Sequence, residues 1–95
     1  MARYIALLKF TEKGAREITK STARAHSFDK AAAKAGVKIE GQYWTVGKYD
    51  GVLIISADDA SKALHLLAEL ASHGAVKSQT MQAFTDTETD AILGR

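Results

Sequence analysis

A chain of 95 residues with 13 basic and 11 acidic side chains, net charge +2, makes one domain and leaves no room for a separate cofactor domain. Its 46% hydrophobic content excludes a disordered chain, and its charges are too scattered for a nucleic-acid arm, so nucleic acid is not an expected partner. The lack of cysteine excludes a disulfide framework, a zinc ribbon, an iron–sulfur site and a thiol nucleophile.

The first predicted element is a strand from Arg3 to Phe10. It is entered directly from Met1-Ala2, so no signal peptide is expected. No apolar stretch reaches the ~20 residues of a membrane span. A soluble cytoplasmic protein without a membrane partner is therefore the default expectation. Thr11-Glu12-Lys13-Gly14 breaks the strand pattern, and a helix in two parts follows between Ala15 and Ala35, with Ser21 or Thr22 as cap of the second part. Its apolar stripe is narrow: Ala25, Phe28, Ala32 and Ala35, with Phe28 as the one large anchor. Gly36 supplies the left-handed residue that closes it.

Val37 to Val46 reads as a long strand. Alternation puts Val37, Ile39, Gly41, Tyr43 and Thr45 on one face, with Lys38, Glu40, Gln42, Trp44 and Val46 on the other. Gly41 marks a candidate bulge or bend. Gly47-Lys48-Tyr49-Asp50-Gly51 is a hairpin connection, and Gly51 to Ala57 is the third strand. Asp58 or Asp59 caps the next helix, which runs to about Ser72 on a stripe of Ala60, Ala63, Leu64, Leu67, Leu70 and Ala71. After His73-Gly74 comes the last strand, Ala75 to Phe84, then a short tail helix from Asp86 to Leu93.

The order β-α-β-β-α-β with right-handed crossovers predicts a ferredoxin-like α+β sandwich. Its sheet has four antiparallel strands, the first and third at the centre, with two helices on one face. Those central strands are apolar at consecutive positions, in Tyr4-Ile5-Ala6-Leu7-Leu8 and Val52-Leu53-Ile54-Ile55. One parity turns Ile5, Leu7, Val52 and Ile54 to the helices; the other turns Tyr4, Ala6, Leu8, Leu53 and Ile55 there. Either leaves an apolar set on the far side, which invites association. The expected assembly is a homo-oligomer, a dimer or a higher even-numbered assembly, with paired sheets forming a dimeric α/β barrel.

Candidate ligand-binding residues are Lys9, Tyr43, Trp44, Tyr49, Asp50 and His26. Trp and Tyr offer apolar area with a polar handle, which suits a planar ligand or a protein partner. Asp50 either orients a ligand or stabilises its turn. Trp44 either stacks on a ligand or fills a seam, and Tyr49 either joins it or covers a sheet edge. Lys9 brings an ammonium to a cleft rim or extends its stem along the sheet. His26 serves as a general base only if its helix is rotated toward the sheet. No histidine pair has metal-binding helical spacing, and no phosphate loop, nucleophile elbow or dinucleotide fingerprint occurs, so neither metal nor cofactor is expected.

Taken together, Tyr4-Ile5, Lys9-Phe10-Thr11, Ala35-Gly36-Val37, Tyr43-Trp44-Thr45, Gly47-Lys48-Tyr49-Asp50 and Ala83-Phe84-Thr85 resemble the GYD domain family over almost the whole chain. The resemblance implies a small ferredoxin-like domain and carries no catalytic assignment. Family members often have Glu and Pro near the end of the third strand, where this chain has Ser56 and Asp58. Three functional readings stand open: a self-associating domain that binds a small molecule or a protein without catalysis, a small cofactor-independent oxygenase or isomerase working in a cleft, and a purely structural oligomer.

Overall fold

The apolar runs do become the two central strands. In the computed structural model, which describes residues 1–94, β1 (Ala2–Phe10) lies between β3 (Gly51–Ala57) and β4 (Val76–Ala83). The remaining edge is β2 (Lys38–Trp44), giving the antiparallel order β2-β3-β1-β4. Between β1 and β2 run a short helix α1 (Glu12–Arg16), a 3-10 turn (Ile18–Lys20) and α2 (Ser21–Ala35); α3 (Ala60–Ser72) joins β3 to β4, and α4 (Asp86–Leu93) follows. This is the ferredoxin-like α+β arrangement.

Register decides which apolar set meets the helices. Tyr4 lies opposite Ile55 and Ala6 opposite Leu53, on the side where Phe28 and Ala32 of α2 and Ala63 and Leu66 of α3 pack. Ala6, Leu53, Ile55 and Leu66 are all but inaccessible there. The complementary set, Ile5 opposite Ile54 and Leu7 opposite Val52, looks the other way and is half-buried by its own neighbours. Alanines on α2 let the helix approach the sheet closely. Its end is the αL closure expected at Gly36, φ 78°, with the Val37 N–H donating to Ala32 O at 2.9 Å.

Several sequence expectations are corrected. The sheet is open and is not closed into an α/β barrel, because edges β2 and β4 are separated by two strands and four strands are too few to curl shut; about eight are needed. The first part of the two-part helix starts earlier than expected, as α1, whereas the tail helix α4 has the expected bounds. The strand pattern does break at Thr11, which caps α1 by accepting from the Gly14 N–H. Neither Ser21 nor Thr22 caps α2; the 3-10 turn feeds Lys20 into the cap position without a side-chain bond. Strand β2 stops at Trp44, and Val46 is fully exposed. Within it the register jumps between Ile39 and Gly41, so Glu40 is the inserted residue. An extra residue reverses alternation. Gln42 and Trp44 therefore share the helix side with Ile39, while Gly41 and Tyr43 face away.

Candidate functional site

Where β1 ends and α3 closes, the two layers separate into a cleft of about 700 Å³. Phe10, Phe28, Leu70 and Val76 make its apolar lining, and Trp44, half-exposed opposite Gly51, stands at its side. Lys13, Lys20 and Arg24 bring positive charge to it, with Glu17 and Glu69 opposing. Helical spacing sets two of these side chains: Arg24 and Phe28 are four apart on α2 and so share a face. Lys20 pairs with Glu17 at 3.5 Å, and Lys13 donates to the His73 carbonyl at 3.1 Å. Arg24 keeps its Nη2 shielded from solvent with no hydrogen-bond partner among the described residues.

The six sequence candidates are not gathered in this cleft. Trp44 lines it. Asp50 lies at the other side of the strand end, where its Oδ2 accepts from the Phe10 N–H at 2.8 Å and its own N–H donates to Leu8 O at 2.8 Å. Thr45 closes the same loop, through its N–H to Asp50 O and its hydroxyl to Tyr49 O. The Gly47–Asp50 element thus extends the pairing of β1 past the end of β3. Tyr49 reaches over to β4, its hydroxyl donating to Gln79 Oε1 at 3.1 Å, with the Lys48 ammonium 5.6 Å from its ring. Lys9 donates to Lys48 O at 3.1 Å and is exposed, as is Tyr43 on the helix-free side. His26 is exposed on α2 and does not line the cleft. Sequence reasoning missed Arg24 as a site residue; its spacing from Phe28 was the available signal, but only the Glu40 bulge turns Trp44 toward it.

The helix-free side forms a second surface. Ile5, Leu7, Val52 and Ile54 occupy its middle, with exposed Tyr43 and Met81 to either side. Arg3 Nε donates to Glu40 Oε2 at 2.7 Å, and this bond holds the Glu40 carboxyl below the usual carboxylate range while raising the Arg3 guanidinium. Lys9, Lys38 and Lys77 share that side. Beside Arg3 begins α4, whose capping box joins Thr85 and Glu88; the two hydrogen bonds from Thr85 lower the Glu88 carboxyl. Every described residue of α4 is exposed, including Ile92 and Leu93, as is Phe84 before it. The Asp59 carboxyl is lowered by hydrogen bonds from Ser61, as fits a helix cap. Among the described residues no three His, Asp or Glu side chains are grouped to hold a metal ion, and no helix is long and apolar enough to cross a membrane.

The chain belongs to the GYD domain family, which it matches over residues 4–93. It is 32% identical, over 98% of its length and 99% of the relative's, to a Thermus thermophilus protein called glutamine synthetase and cystathionine beta-lyase binding protein. Its fold is similar to the crystal structure of MtbAldR, with a TM-score of 0.62 at 14% identity, covering 90% of this chain. The chain spans about half of that protein, 52% of its length, and at this identity the likeness is one of fold alone.

Proposed function

We propose that residues 1–95 act as one non-catalytic binding module that self-associates through the helix-free side of its sheet and docks on other proteins. The observation that carries this is the apolar centre of that side, Ile5, Leu7, Val52 and Ile54, over which none of the described helices lies. The occupant we assign is a second copy of the chain. Strands about 4.8 Å apart and about seven residues long, at about 3.3 Å per residue, give four of them a footprint of roughly 450 Å². A stable pair hides about 800 Å² per partner, so the sheet needs help.

The tail helix supplies it. Asp86, Glu88 and Asp90 make α4 acidic, whereas the helix-free side carries Arg3, Lys9, Lys38 and Lys77 against the single carboxylate of Glu40. Acidic tail and basic sheet are complementary, so each copy lays α4, with Ile92 and Leu93, against the rim of the other. The name of the Thermus thermophilus relative, a protein that binds two enzymes, supports docking over catalysis. The scatter of the six candidate residues supports it too, since general acid–base work needs convergent groups.

Sedimentation equilibrium of the full chain at micromolar concentration tests the assignment. The expected mass is twice the 10.2 kDa of one chain. Ile54→Lys, at the centre of the surface, is expected to give a folded single chain. A wild type that sediments as one chain, or an Ile54→Lys variant that still pairs, removes the helix-free side as the contact.

A further inference from the structure

We infer that the cleft between α2 and the end of the sheet binds a small organic carboxylate with an apolar, ring-bearing body. Its volume of about 700 Å³ falls within the ~300–1,000 Å³ of small-molecule sites. Aromatic side chains line it from three separate elements: Phe10 at the end of β1, Phe28 on α2 and Trp44 at the end of β2. Half-exposure of a tryptophan on the helix side of the sheet leaves its ring face available for stacking.

Charge narrows the ligand. The ammonium of Lys20 is paired with Glu17, and that of Lys13 is held by the His73 carbonyl. Arg24 remains: its Nη2 is cut off from solvent and has no acceptor among the described residues. Leaving a cationic N–H in that state is costly, and a small swing of the side chain into the cleft would present it to an incoming acceptor. A planar carboxylate fits a guanidinium edge through two parallel hydrogen bonds. One such cation beside an apolar wall suits a monoanion. A phosphate would bring more charge than Arg24 balances and would face Glu69 at the rim.

Trp44 is the only tryptophan of the chain, so its emission reports on the cleft directly. The experiment titrates the full chain with phenylbutyrate and with phenylbutanol, which share a body and differ in charge. Phenylbutyrate is expected to change Trp44 emission saturably and to bind about tenfold or more tighter than the alcohol, the increment of a charge-assisted hydrogen bond. Arg24→Met is expected to bring the acid down to the affinity of the alcohol, and Arg24→Lys to retain part of the preference. Equal binding of acid and alcohol to the wild type, or no saturation by either, overturns the proposal without recourse to any variant. A preference that survives in a folded Arg24→Met overturns it as well. The outcome is independent of whether the chain pairs through its helix-free side.

Discussion

Asp50 and Gly14 illustrate how single residues join distant parts of the chain. The Asp50 carboxylate accepts from the Phe10 N–H, forty positions away in sequence, at a part-buried site. Removing it leaves that N–H without its acceptor, which typically costs about 1–3 kcal/mol. Asp50→Ala is therefore expected to lower the unfolding free energy from urea titration by that amount, with an unchanged circular dichroism spectrum at low denaturant. Gly14 is buried in α1, where a Cβ would collide with the carbonyl of Ala75. The obstacle is backbone, tied in place because Thr11 donates to both Ala75 O and Gly74 O. Gly14→Ala should cost about 1–3 kcal/mol in the same assay, despite alanine's better helix propensity. Turn chemistry made Asp50-Gly51 legible as a hairpin end. The partner of Gly14, Ala75, lies just before β4, and nothing in the local pattern announces so remote a contact.

At the scale of elements, alternation and helical spacing located all four strands and both long helices, because each of these buries a stripe with its own period. They failed where one residue changes the period. Glu40 is inserted into β2, so the faces read from Val37 onward are reversed after it, and Trp44 lands on the helix side. A polar residue beside a glycine gives no sign of which one is inserted. The tail helix was legible from its composition, and its capping box gives it a definite pH response. Glu88 is held below its ordinary value of 4.5 by the two hydrogen bonds from Thr85. A carboxyl lowered in the folded state contributes stability that is present above the ordinary value and lost as pH falls through the lowered one. The helical signals of residues 86–93 are thus expected to fade in NMR spectra as pH drops below 4.5, ahead of the sheet. Glu88→Gln, which keeps an acceptor for the Thr85 N–H but does not titrate, should remove that dependence. A tail whose shifts follow the same pH course in both proteins would show that the box does not hold it.

At the scale of the molecule, the sequence could not decide between two apolar sets on the central strands, since both are bulky and both continuous. The helices decide. Small side chains on α2 leave room for Tyr4, Ala6, Leu8, Leu53 and Ile55, and the other set is turned outward on an open sheet. The extents of 49 × 31 × 17 Å describe a slab two layers thick, longer than the ~30 Å that nine strand residues span. Its radius of gyration, 14.2 Å, exceeds the ~12 Å of a compact chain this size, as expected if the exposed tail belongs to an interface with another copy. Should α4 complete that interface, ending the chain at Thr85 ought to weaken pairing about tenfold or more while leaving the thermal transition of the sheet intact, because none of the described α4 residues is buried in the single chain. Salt separates the two contributions: tail against basic rim is screened over about 8–10 Å near physiological ionic strength, whereas the apolar centre is not. Pairing of the full chain should therefore weaken with added sodium chloride, and pairing of the shortened chain should instead strengthen, because salt screens the repulsion between its two basic rims. Sedimentation of both across a salt series reads this directly, and equal salt responses would place the tail outside the contact.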